Sequence, residues 1–427
     1  MKKTPRIGVF GLWHLGCVIS ASWSTLKHKV TAFDKDDALI KDLSKGVPPI
    51  FEPDLAETLV KNVKNKSLSF TSGLSGLRAC DFVFLAYDTP VLEDDRSDLT
   101  LLENAVQDLG DVLKDGAVVI VSSQTPAGTC AVFRKSLKAK NPSLDLAYSP
   151  ENLRLGEALK NYLSPGRVIL GTEDKNTEKK ILSLFKAVPA QVLTMNLTSA
   201  EMVKHGINAF LASSIAFTNE LSDICEKSGA DIADVARGMK TDPRIGEKAY
   251  LSPGIGFSGG TLGRDLRVLD SLGGSFFGEI FRRNARRKKA IIERLKTNIP
   301  GKNLNGRKVG VLGLTYKPGT STLRRSLPVE IVRELAGEGA SVSVYDPKAD
   351  YSEWKGEKRF SVAASGESIV RDSEAVLVLT EWPQFLRLPW KSLLKKSAPQ
   401  IIFDAKNCLM GLGLDRAGYR YLRIGKN

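Results

Sequence analysis

The start of the chain restricts its fold more than any later segment. A short apolar strand, Ile7–Phe10, runs into Gly11-Leu12-Trp13-His14-Leu15-Gly16; a helix-compatible segment follows, and a second strand, Val30–Phe33, ends at Asp34. A turn that passes directly from a strand into a helix needs a residue that tolerates positive φ at its start. It needs another without a side chain where the helix packs on the strand. Gly11 and Gly16 stand at those two positions, and Asp34 stands where a carboxylate can accept hydrogen bonds from a ribose hydroxyl. The glycine that normally lets the backbone approach a pyrophosphate is replaced by Trp13, whose indole can cover the helix N-terminus or displace the ligand. The turn predicts a dinucleotide-binding lobe with Gly11, Trp13, Gly16 and Asp34 on the cofactor side. A dinucleotide fold that has lost its cofactor is the competing reading.

Strand and helix signals alternate up to about residue 190. Asp81–Ala86, Val118–Val121, Leu144–Tyr148 and Val168–Leu170 add apolar strands, and runs of this kind separated by helices indicate a parallel sheet covered on both faces. Thr198–Ser228 then reads as one long helix, with Thr198 and Glu201 as a capping box and Gly229 as its C-terminal cap. A second helix is expected over Phe277–Thr297. After Pro300-Gly301 the alternation resumes with Lys308–Leu312, Ser341–Tyr345, Ala375–Leu379 and Ile401–Phe403, and this lobe also opens with a strand, a glycine turn and a strand ending in an acid, Asp346. The expected fold class is α/β, two Rossmann-like parallel-sheet lobes joined by a long helical connector. The expected domains are 1–195 (dinucleotide-binding), 196–300 (central, helical) and 301–427 (second Rossmann-like lobe).

A chain of 427 residues is too long for one core, and 42% hydrophobic residues exclude a disordered chain. The cysteines, Cys17, Cys80, Cys130, Cys225 and Cys408, form no CxxC pair, and the three histidines have no metal-ligand spacing; no metal site and no disulfide framework are expected. A net charge of +14 favours anionic ligands, whether nucleic acid, an acidic membrane surface or phosphorylated metabolites. The densest basic run, Arg282 to Lys289, lies in an expected helix without interleaved aromatic residues, so a solvated face is preferred to a nucleic-acid surface. No segment is apolar over a bilayer-spanning length. Met1-Lys2-Lys3 before an apolar stretch has the outline of a signal peptide, but the stretch reads better as the strand–turn–helix above, which makes the cytoplasm the expected location.

Segments along nearly the whole chain resemble the UDP-glucose/GDP-mannose dehydrogenase family: GLWHLG (11–16), VPPIFEPDL (47–55), YSPENLRLG (148–156), SAEMVKHGINAFLA (199–212), DPRIG (242–246), PGIGFSGGTLGRD (253–265), LGLTYKPGTSTLRRS (312–326) and FDAKN (403–407). The resemblance implies a homodimeric enzyme, paired through the long helix, with NAD on the first lobe and a UDP-sugar on the second. The family oxidises a sugar alcohol twice, through an aldehyde held on a cysteine as a thiohemiacetal. Residue by residue, it implies Glu151, Lys204, Asn208, Asp265 and the position of Thr261 as catalytic. Glu151 and Asp265 would assist a water or hydroxyl, while Lys204 and Asn208, four apart on one helix face, would address one oxyanion. Thr89, Gln124 and Arg324 would join the cofactor side. Asn152, Leu153, Arg244, Phe257, Gly259, Tyr316, Lys317 and Lys406 would bind substrate, Arg244 in the partner subunit's site.

The chain departs from the family pattern around cofactor and nucleophile. Thr261 stands at the cysteine position, and an alcohol is not ionised near neutrality without a positioned base. Trp13 and Asp88 replace glycines, Gln124 replaces a threonine, Leu155 an acid, and Ser321-Thr322 an Asp-Asp pair. The resulting expectation is an NAD-dependent dehydrogenase of a UDP-hexose, UDP-glucose by default, that stops at the aldehyde or ketone. A non-catalytic UDP-sugar-binding protein on the same fold is the alternative.

Overall fold

The computed structural model describes residues 4–87, 89, 97–150, 153, 156–354, 359–394 and 400–426. By contact density the chain divides into two compact units, Met1–Gly206 and Ile207–Asn427.

In the first unit the strands are β1 (Arg6–Phe10), β2 (Lys29–Phe33), β3 (Leu68–Thr71), β4 (Phe82–Leu85), β5 (Val118–Val121), β6 (Asp145–Tyr148), β7 (Arg167–Gly171) and β8 (Gln191–Met195). They form one sheet in the order β3-β2-β1-β4-β5-β6-β7-β8. Every neighbouring pair is parallel except β6 with β7. Central strands such as FVFL and VVIV are buried along their whole length because helices cover both faces. One core lies on each face, one around Val9, Trp23 and Phe84, the other around Phe10, Phe33 and Val119.

The turn after β1 shows why its glycines are required. Gly11 has φ +93°, and a Cβ on it would press into the Tyr87 ring. A Cβ on Gly16 would fall 1.8 Å from the Gly11 carbonyl oxygen, so no other residue fits where the helix His14–Thr25 meets the strand.

In the second unit, β9 (Lys308–Leu312), β10 (Ser341–Tyr345), β11 (Phe360–Val362), β12 (Ala375–Val378), β13 (Ile401–Asp404) and β14 (Arg420–Arg423) form a fully parallel sheet in the order β11-β10-β9-β12-β13-β14. Helices Ile232–Lys240, Thr261–Ser271 and Ser275–Asn298 precede it.

The helix Leu197–Ser228, the connector helix, is continuous across the boundary between the units. Its start differs from the expected capping box. Asn196 caps it instead, its side chain accepting from the Ser199 amide at 2.7 Å, and Glu201 turns away to another element. Its end matches expectation: Gly229 has φ +78°, and the Ala230 amide bonds back to the Cys225 carbonyl at 3.0 Å.

Candidate active site

Dinucleotides bind at the C-terminal edge of such sheets, beside the turn after β1. There Asp34 takes the Leu12 amide on one carboxylate oxygen at 2.8 Å and the Asp36 amide on the other at 3.1 Å. A carboxylate offers about four acceptor sites, so Asp34 keeps capacity for a ribose hydroxyl. Trp13 is the N-cap of the helix His14–Thr25, with extended backbone and no side-chain cap, so that helix start keeps unpaired amides suited to a pyrophosphate. The indole is 46% exposed, so it is not packed into the turn. These residues fit a dinucleotide.

The matching turn of the second lobe is wired differently. Gly313 repeats the left-handed conformation at φ +91°, and its amide bonds to the end of β10 as Gly11's does to the end of β2. Asp346, however, accepts from six donors: the amides of Leu314, Thr315, Lys348 and Ala349, the Thr315 hydroxyl and the Trp382 indole. It is buried and saturated, leaving nothing for a ligand.

At the end of β5, Gln124 is half-buried and its carbonyl accepts from the Thr89 hydroxyl at 3.1 Å. The next residue, Thr125, bonds to the connector helix through Glu201 and His205. Lys204 lies half-buried between those two on the same helix. Leu153 packs partly buried against the first lobe's core. Glu151 and Asn152, with Asp88 and Leu155, lie outside the described residues.

Within the second unit, residues distant in sequence meet. The Asn208 side-chain amide donates to Asp265, which is fully buried on the helix Thr261–Ser271 beside the buried Arg264. Thr261 is the exposed first residue of that helix, one turn before Asp265. The preceding loop is pinned by side chains the sequence reading missed. Asn219 accepts the Gly254 amide at 2.8 Å, Arg287 donates to the Gly254 carbonyl at 3.2 Å, and Asn284 bonds to both the amide and the carbonyl of Phe257 at 2.8 Å.

Gly259, at φ +86°, donates to the Arg325 carbonyl and presents its bare Cα to the Tyr316 ring. Burial raises the Tyr316 phenol above its ordinary pKa, and the Lys317 ammonium stands 5.7 Å from the ring centroid. Lys406 approaches Gly254 and pairs with Glu381 at 3.1 Å. Gly259 thus meets Tyr316 with Lys317 beside the ring, and Lys406 lies near Gly254, three residues before Phe257. Arg324 is exposed, its amide donating to Thr322. Arg244 is exposed on a separate loop, its guanidinium forked onto Asp242 at 2.7 and 3.0 Å.

Burial raises the thiols of Cys17, Cys80 and Cys130, and burial beside Asp404 raises Cys408, whose thiol donates to that carboxylate. Among the described residues there is no cluster of three metal-binding side chains and no helix long and apolar enough to cross a membrane.

Three family models match in succession: the NAD binding domain of the UDP-glucose/GDP-mannose dehydrogenase family over residues 5–189, its central domain over 198–276 and its UDP binding domain over 310–411. The chain belongs to the UDP-glucose/GDP-mannose dehydrogenase family. Membership makes it an NAD-dependent oxidoreductase acting on a CH–OH group of a nucleotide sugar. It is 33% identical over 437 residues to UDP-glucose 6-dehydrogenase TuaD of Bacillus subtilis, covering 99% of this chain and 93% of that one. It is 30% identical over 432 residues to UDP-glucose 6-dehydrogenase of Rickettsia bellii, covering 98% and 99%. Among solved structures, a UDP-glucose dehydrogenase from Pyrobaculum islandicum superposes with a TM-score of 0.88 at 28% identity, over 100% of this chain and 98% of that one. An NDP-N-acetyl-D-galactosaminuronic acid dehydrogenase from Methanosarcina mazei does so with 0.87 at 25%, over 100% and 96%.

Proposed function

We propose that this family member oxidises the alcohol of a UDP-hexose, UDP-glucose by default, once, and releases an aldehyde or ketone. The observation that carries the reading is the meeting of Asn208 and Asp265 one helical turn from Thr261. An amide has two N–H donors. Asp265 takes one and orients the group, which leaves the other to hold an alkoxide as its proton departs. Lys204, one turn earlier on the connector helix, would take that proton as its free amine, or a water assisted by Glu151 and Asp265 would take it. NAD, held by the first lobe, would supply the hydride acceptor. Gly11, Trp13, Gly16, Asp34, Thr89, Gln124 and Arg324 would hold the cofactor in this reading. Phe257, Gly259, Tyr316, Lys317 and Lys406 hold the sugar nucleotide, with Asn152 and Leu153.

The stop after one oxidation rests on Thr261. Its hydroxyl has no carboxylate or imidazole bonded to it among the described residues, and the raised thiols elsewhere offer no substitute. Without a thiohemiacetal, the second oxidation would require the hydrated aldehyde.

We read 1–195 as the NAD-binding domain, 196–300 as the central domain and 301–427 as the UDP-sugar-binding domain. A homodimer is supported by Phe210, Phe217 and Ile224, which are 71%, 51% and 54% exposed and recur every seven residues on the connector helix. Such a stripe is the seam two helices share. Pairing would also bring Arg244 to the partner's sugar. Five free cysteines accord with the cytoplasm.

The test is purified protein with NAD and UDP-glucose, followed at the reduced-nicotinamide absorbance with product analysis. One NADH per sugar is expected, and two per sugar refutes the single oxidation. UDP-sugar binding without NAD binding would establish the non-catalytic alternative.

A further inference from the structure

The connector helix sends one fully buried carboxylate, Glu201, into the loop after β5. One oxygen accepts from the Thr125 hydroxyl at 3.0 Å and the Cys130 amide at 2.8 Å; the other accepts from the Gly128 amide at 2.7 Å. The loop ends in the helix Thr129–Lys140, whose N-cap is Gly128 at φ +92° with no side chain of its own to cap it. A serine or aspartate there would cap the helix locally and remain hydrated. The chain instead buries a charge from another element, which is unfavourable unless hydrogen bonds and the helix dipole offset it. Capping alone does not require that arrangement.

What the arrangement adds is register. One turn beyond Glu201, the His205 imidazole Nε2 meets the Thr125 carbonyl at 3.0 Å. Lys204 lies between these two anchors on the helix. On the loop side, Gln124 lies next to Thr125, and its carbonyl is held by Thr89, while the Ser123 hydroxyl donates to Leu85 at 3.3 Å. The loop after β5 and the helix turn that carries Lys204 are therefore tied at two points.

We propose that Glu201, assisted by His205, is a positioning residue that fixes the Gln124–Thr125 edge against the Lys204 turn, and so sets the alignment between the cofactor and Lys204. The proposal rests on the dehydrogenase reading above. Neither residue touches the reacting atoms; both act through Gln124 and Lys204.

The test uses the full chain, unchanged and as Glu201→Gln and Thr125→Val. Gln keeps the shape but turns one acceptor into a donor, whereas Val removes the Thr125 hydroxyl, with its bonds to Glu201 and to the Cys130 thiol, and leaves the carboxylate in place. With UDP-glucose and NAD, kcat is expected to fall about 10- to 100-fold in Glu201→Gln and less in Thr125→Val. The KM for the sugar and the Kd for NAD should move by less than about threefold. Amide exchange should rise together in 123–130 and in 201–206. Should Glu201→Gln not fold, Thr125→Val carries the test with the same directions.

A kcat within about twofold of the unchanged protein, with only a lowered Tm, reduces Glu201 to a helix cap and overturns the proposal. If the unchanged protein reduces no NAD, the single-oxidation reading falls by itself. Exchange then decides: a rise confined to 123–130 overturns the coupling, and a joint rise supports it.

Discussion

At the scale of single residues, the proposed single oxidation turns on Thr261 and on what surrounds it. The residue opens a helix, is exposed, and lies one turn from an aspartate already engaged by Asn208. Restoring sulfur tests the argument directly. Thr261→Cys places a thiol at a helix N-terminus, where the dipole favours the thiolate. The variant is expected to shift the yield from one NADH per sugar toward two and to form an adduct visible by mass spectrometry; an unchanged yield means that the second oxidation is blocked elsewhere. That Lys204 and Asn208 share one helix was legible because four-residue spacing on a helix is a local fact. Asp265 as the partner of Asn208 was not, since a bond across 57 residues leaves no trace in spacing. Glu201 was misread for the same reason. A capping box and a long-range cap use the same letters, and only the fold decides which amides the carboxylate meets.

At the scale of elements, the strands missing from the sequence reading share one property. β3, β8, β11 and β14 are the four edge strands of the two sheets. Central strands buried on both faces are written as apolar runs, whereas these edge strands face water and carry residues such as Ser, Gln and Arg. β8 and β14 are at most half-buried along their length, and no hydrophobic run announces them. The connector helix was legible nearly to its ends, and its exposed seven-residue stripe makes a prediction. Phe217→Glu is expected to convert dimer to monomer in light scattering, with helicity by circular dichroism unchanged; a monomeric parent would refute the seam.

A second element-scale prediction concerns the end of the described chain. Asp231 caps the helix Ile232–Lys240 and pairs with Arg423 and Lys426. Partial burial opposes its ionisation, but the bonds from Arg423 and from the Ala233 amide prevail and hold the carboxyl below its ordinary pKa. Its contribution is therefore present above the unfolded-state value and is lost as pH falls through the lower, folded one. Asp231→Asn should cost about 1–2 kcal/mol at neutral pH. The difference from the parent in denaturant melts should shrink as the pH falls through the acid range.

At the scale of the molecule, the charge of +14 is an electrostatic feature with a kinetic consequence. A UDP-sugar carries two phosphate charges toward this field, and the Debye length contracts from roughly 30 Å at 0.01 M salt to about 8 Å at 0.15 M. kcat/KM for the sugar nucleotide is expected to fall several-fold over that range while kcat holds, because encounter is screened and the bound geometry is not. A salt-independent kcat/KM would mean that the basic residues act only as a solvated coat.

The two glycine turns carry a consequence for how such a protein can change over generations. Asp34 answers to two donors and Asp346 to six. Substitutions at Asp34 are therefore able to trade one ribose environment for another, including a phosphorylated one, at little expense to folding. At Asp346 the same substitutions would orphan buried amides and an indole before any new ligand arrived. Of two lobes built to one plan, only the first remains open to selection on what it binds; the second is free to evolve new recognition only through its surface, around Tyr316, Lys317 and Lys406.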